Sequence, residues 1–181
     1  MRLARGSRRG LALLGLLAGC AGGEARRPEA PRLSVHWSGA DTAEFGAPAT
    51  AEWCRPLGLI EIRAIAGDTG VGIAIFRREG AEPGSYVIRR PELAETSAAA
   101  ASLALRWFSR TAVQGFQGDS GVLSLRRAAD STLSGRFTAA AQAITGTGRL
   151  RLAGSFGGIR VLPATRGCVA RRTGDSGAGV H

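Results

Sequence analysis

Leu59-Ile60-Glu61-Ile62-Arg63-Ala64-Ile65-Ala66-Gly67-Asp68-Thr69-Gly70-Val71-Gly72-Ile73-Ala74-Ile75-Phe76 is the stretch on which the reading of this 181-residue chain turns. Ile60, Ile62 and Ala64 interleave with Glu61 and Arg63, and Val71, Ile73 and Ile75 interleave with Gly72 and Ala74. Side chains of an extended strand point to opposite faces with a period of two, whereas an amphipathic helix needs apolar residues three and four apart. Gly67-Asp68-Thr69-Gly70 separates the two runs. Glycine takes positive φ without steric cost, and an aspartate side chain can bond its own backbone two residues on. Residues 58–66 and 71–78 are therefore expected as two strands of a hairpin.

The same period extends outward in both directions. Leu33, Val35 and Trp37 alternate with Ser34, His36 and Ser38, and Leu103, Leu105 and Trp107 alternate across residues 102–108. Residues 122–125, 133–139 and 150–156 continue the pattern. Gly118-Asp119-Ser120-Gly121 reads as a turn ahead of one strand, and Gly174-Asp175-Ser176-Gly177 repeats that chemistry in the tail. Many short alternating runs with turns between them predict an all-β domain over residues 32–168, an antiparallel β-sandwich or flattened barrel of about eight to ten strands. Trp37, Trp53 and Trp107 are expected in its core. Pro91 and the Glu and Ala residues after it, through residue 101, read as either a short helix or a loop. Residues 169–181 are polar and glycine-rich and are expected to be disordered.

Of the charged residues, 24 are basic and 14 acidic, and every basic residue is an arginine. Four arginines (Arg2, Arg5, Arg8 and Arg9) sit in the first ten residues, so from Cys20 onward 20 basic residues face 14 acidic ones, a difference of +6. Arginine pairs recur at Arg26-Arg27, Arg77-Arg78, Arg89-Arg90, Arg126-Arg127 and Arg171-Arg172. At strand ends such charges discourage edge-to-edge pairing. The functional reading of the same pairs is a basic rim toward anionic lipid or polysaccharide.

Residues 1–10 are basic without an acid, and residues 11–19, LALLGLLAG, are apolar. Nine residues of helix at about 1.5 Å each fall far short of a hydrocarbon core of about 30 Å, so the segment fits a signal peptide and not a membrane span. It ends in Leu17-Ala18-Gly19-Cys20, which resembles the lipobox of bacterial lipoproteins. The resemblance implies cleavage after residue 19, a diacylglycerol on the Cys20 thiol and acylation of its amine. Two or three acyl chains at about 0.8 kcal/mol per buried CH₂ anchor a protein stably. Ala21 in place of aspartate implies delivery to the outer membrane. Ser7-Arg8-Arg9-Gly10-Leu11 also resembles a twin-arginine export signal, from which Ala12 and Leu13 depart. The domains are then a signal peptide over 1–19, a lipidated N-terminus and linker over 20–31, the β domain and the tail.

With Cys20 lipidated, Cys54 and Cys168 remain as an even pair in an oxidising compartment, and a bridge between them is expected. Export also argues against a nucleic-acid partner; oligomeric state stays open. Catalytic constellations are not evident. Gly118-Asp119-Ser120-Gly121 resembles the nucleophile motif of trypsin-like proteases over four residues only, and the chain has just His36 and His181 to serve as a base. Asp68-Thr69-Gly70 resembles the aspartic-protease triplet, which works only as a pair. Closely spaced metal ligands and a phosphate-binding loop are missing, so no catalytic residue, cofactor or metal is assigned. The expected function is a membrane-anchored, non-enzymatic binding or accessory module of the envelope. A carrier holding an apolar ligand inside a barrel, or an enzyme of unrecognised type, are the alternatives.

Overall fold

The computed structural model describes residues 30–76, 82–95, 99–109 and 112–164. The signal peptide, Cys20, Cys168, the tail and the pairs Arg26-Arg27, Arg77-Arg78 and Arg171-Arg172 lie outside the described residues. Within them the chain is all-β. The strands are β1 (Arg32–Gly39), β2 (Ala43–Cys54), β3 (Leu59–Ala66), β4 (Thr69–Phe76), β5 (Gly84–Ile88), β6 (Ala100–Phe108), β7 (Val113–Arg127), β8 (Thr132–Ala143) and β9 (Arg149–Pro163). They close into a barrel in the order β1-β2-β3-β4-β6-β5-β7-β8-β9.

The β3–β4 hairpin pairs Ala66 with Thr69 around Gly67-Asp68. Gly67 has φ +53° and Asp68 does not share a positive φ, the pattern of a two-residue type II′ turn. Alternation then decides the faces. Ile60, Ile62, Ala64, Val71, Ile73 and Ile75 are all buried inside, while Arg63 is exposed.

Most neighbours are antiparallel, but two short parallel pairings make the sheet mixed. β1 begins only at Arg32, so past that point β2 and β9 meet directly, with Ala51 to Trp53 alongside Val161 to Pro163. On the other side β6 and β7 pair through Ala104 to Phe108 and then part to admit β5, which runs parallel to β6 at Val87 and Ile88. The parting needs a change of direction in β7. It is made at a β-bulge between Gly118 and Ser120, where Asp119 has no partner on β8. Gly118-Asp119-Ser120-Gly121 is thus not the turn expected from its residues but a bulge inside a strand of 15 residues. Among the described residues of the stretch after Pro91, a helix forms over α1 (Pro91–Ala94), whereas Ala100 and Ala101 belong to β6.

Two glycines let aromatic rings into the wall between β8 and β9. Gly135 faces Phe156 and Gly154 faces Phe137 in the ladder, and each ring lies over its glycine. At the end of the barrel formed by the β3–β4 and β6–β7 connections, Trp107 stacks on Trp37 at 5.6 Å and on Phe116 at 5.3 Å, joining β1, β6 and β7. Trp37 is core, as expected; Trp53 and Trp107 are half-buried against it. Every strand from β1 to β9 contributes buried side chains to one continuous interior cluster.

Candidate functional site: an arginine–serine groove

Three short segments share one pattern: Arg32-Leu33-Ser34, Ser124-Leu125-Arg126 and Ser134-Gly135-Arg136. In each, the middle residue is buried in the barrel and the flanking arginine points outward. The ladder then brings them together. Arg126 stands opposite Ser134, and Ser124 opposite Arg136. Arg136 stands opposite Ser155 on β9, and Ser155 opposite Ser34 on β1. The result is a groove of about 460 Å³ across the outer surface of β7, β8, β9 and β1, lined by Arg32, Arg126 and Arg136 with serine hydroxyls between them. Arg32, Ser34 and Ser155 also border a second depression of about 490 Å³ that continues toward His36 and Glu44.

Among the described residues the only salt bridge joins Arg63 to Glu61, on β3. The three groove arginines are exposed and make no ion pair with a described residue. Guanidinium groups fork toward oxyanions in a planar, two-point geometry, and hydroxyls add donors beside them. The arrangement is chemically suited to a phosphate, sulfate or carboxylate.

Of the arginine pairs read from the sequence, Arg126-Arg127 contributes one member to the groove. Arg90 instead donates to Gln142 Oε1 at 2.8 Å. Arg32 and Arg136 belong to no pair. The signal that finds them is the serine–arginine alternation at a spacing of two, legible only once each segment is assigned to a strand.

The other candidates are dispersed. Ser120 donates its hydroxyl to Asp119 Oδ1 at 3.1 Å, but His36 lies three strands away around the wall, on β1. At about 4.8 Å per strand that is on the order of 14 Å, beyond proton-transfer reach. Asp68 occupies the hairpin turn, its carbonyl accepting from Phe108 N at 3.0 Å. Among the described residues no three His, Cys, Asp or Glu side chains come together. Asp130 is engaged locally: Thr132 donates to its Oδ1 through both hydroxyl and amide, which, with Arg160 nearby, holds its carboxyl below the usual value.

Cys54 ends β2, buried, at 6 % exposure. Beside it Ala164 N donates to Trp53 O at 2.9 Å, so the strand that leads toward Cys168 runs against the Cys54 strand. At the far end Ile65 and Ile144 are exposed and flank a smaller groove of about 320 Å³ over Gly70 and Gly72. The chain matches no protein-family model, no curated protein and no solved structure.

Proposed function

We propose that the protein is a lipid-anchored envelope module that works by binding, tethered through Cys20 to the outer membrane and offering the outer wall of its barrel to an anionic ligand. The observation that carries this reading is the division of the barrel into two surfaces. Its inner face is filled by Ile, Leu, Val, Ala and aromatic side chains. Its outer face holds a groove lined by arginine and serine. A carrier of the expected kind needs an interior with room for a ligand, and the continuous cluster of buried side chains from all nine strands favours a packed one. An enzyme needs converging catalytic groups, and His36 and Ser120 do not converge. The groove asks only for an oxyanion.

A bridge between Cys54 and Cys168 is part of the proposal. Ala164 is held beside Trp53, and the four residues from there to Cys168 span at most about 14 Å, a length of chain compatible with a return to Cys54. Such a link would close a loop of about 114 residues and contribute at most about 4–5 kcal/mol.

Intact mass of the protein purified from membranes of a Gram-negative host, with and without reductant, tests anchor and bridge together. The expected mass begins at Cys20, carries acyl chains and rises by two hydrogens on reduction. An unacylated mass beginning elsewhere removes the tether. An apolar ligand extracted at one per chain from the folded domain would overturn the binding-module reading in favour of the carrier.

A further inference from the structure

The arginines are not spread evenly around the barrel. The wall formed by β7, β8, β9 and β1 exposes Arg32, Arg126, Arg127, Arg136, Arg149, Arg151 and Arg160, against Asp119 at the bulge and Asp130 in the β7–β8 turn. The wall formed by β3, β4 and β6 exposes Arg63 and Arg106, and Glu61 neutralises the first. Arg106 lies over the Phe108 ring at 5.9 Å. One side of the molecule is therefore cationic and the other close to neutral.

The position of the tether selects an occupant. Arg32 is both the first residue of β1 and a wall of the groove. Pro31 O already accepts from Ala49 N at 3.1 Å, so the chain joins the barrel at that point. Residues 21–31 separate it from Cys20, a contour of at most about 40 Å. A chain anchored at Cys20 carries the groove to within that distance of lipid headgroups. Sugar polymers are commonly gripped by exposed aromatic rings, and Phe45, at the edge of the second depression, is half-buried against the core.

We propose that the outer face of β7, β8, β9 and β1 docks on anionic phospholipid, with Arg32, Arg126 and Arg136 taking headgroup phosphates in the groove. This rests on the envelope-lipoprotein reading for its geometry. The tether sets the local concentration, and the groove sets which side of the barrel turns to the membrane. The serines complete the phosphate's hydrogen bonds between the guanidinium forks.

The test uses the full chain carrying Cys20→Ser, which accepts no lipid, so its outcome is independent of the anchor. Partition is measured by sedimentation with vesicles of phosphatidylcholine alone or with about 30 mol % phosphatidylglycerol. Residues 1–19 contribute equally to every variant, so the reading is the ratio of variant to parent. R32S/R126S/R136S is expected to lose on the order of a hundredfold in affinity for the anionic vesicles. R63S/R106S, which removes two charges from the opposite wall, is expected to lose less than about threefold. Both variants are first shown to be folded by tryptophan fluorescence. Equal losses from the two variants would mean that net charge and not this face binds, and would overturn the proposal. Unchanged partition of the triple variant would overturn it as well. Loss of binding to a soluble sulfated polysaccharide, with vesicle binding retained, would assign the groove to polysaccharide instead. Failure of the intact-mass test would remove the tether while leaving this vesicle result standing.

Discussion

Gly154→Ala and Gly72→Ala are the same chemical change at two strand positions, and the barrel predicts opposite signs for them. A Cβ on Gly154 would lie 2.4 Å from Phe137 Cζ and 2.5 Å from the Ser34 carbonyl oxygen. The ring belongs to the core, with Phe137 3 % exposed. The carbonyl belongs to β1, whose register with β9 pairs Val35 with Gly154. Overpacking of this kind costs about 1–3 kcal/mol, and pushing Phe137 partly out of its site forfeits a share of the roughly 1.5–3 kcal/mol that its burial supplies. A loss of about 3–4 kcal/mol follows, a large part of the 5–15 kcal/mol that holds a typical domain together. A Cβ on Gly72 meets nothing within 4 Å. There alanine restricts the unfolded chain and should stabilise by about 0.4–1 kcal/mol. Urea unfolding followed by tryptophan fluorescence reads both, since Trp37 and Trp107 lie in or against the core. Adding Phe137→Leu to Gly154→Ala should recover the ring's part of the loss and leave the part due to Ser34. If Gly154→Ala unfolds within about 1 kcal/mol of the parent, the packing between β8, β9 and β1 is not as described.

Further outcomes are expected at two residues. Trp37 Nε1 is buried without a hydrogen-bond partner among the described residues, so Trp37→Phe removes an unsatisfied donor worth about 1–3 kcal/mol while shrinking the ring, and should leave stability within about 1 kcal/mol of the parent. Trp37→Ala, which also dissolves the stack on Trp107, should cost about 3–5 kcal/mol; a loss above about 2 kcal/mol from Phe would mean the indole N–H is satisfied. Asp130 is held below its ordinary value of 3.8, first by the hydrogen bonds from Thr132. A carboxyl depressed in the folded state stabilises the fold above that value and loses its contribution as the pH falls through the folded one. Urea midpoints measured at about pH 5 and pH 2.5 should therefore converge more in Asp130→Asn than in the parent, and equal pH dependence in the two would contradict the assignment.

Alternating apolar residues were enough to place β3, β4, the centre of β6 and the middles of β8 and β9, because burial on one face of a strand leaves a period of two in the residues themselves. The extent of β2 was less visible, since its inner face is Ala47, Ala49 and Ala51 and alanine hardly differs from its polar neighbours in hydropathy. β5, with five residues, is too short to show a period. Gly118-Asp119-Ser120-Gly121 carries residues that suit a turn and a bulge equally; what decides between them is whether the flanking strands pair with each other or with different neighbours. Closure into a barrel, the two parallel contacts and the wedge of β5 between β6 and β7 all depend on that same choice of neighbour, which no local stretch encodes.

The groove divides along the same line. Each Arg-x-Ser or Ser-x-Arg triplet fixes by itself that both polar residues leave the barrel on one side, because the residue between them is apolar or glycine and turns inward. That Arg32, Arg126 and Arg136 then stand beside one another, rather than on three unrelated surfaces, is decided by strand order and register, where residues some ninety positions apart become neighbours. Local chemistry sets which way a side chain faces; only the pairing of distant strands sets what it faces with.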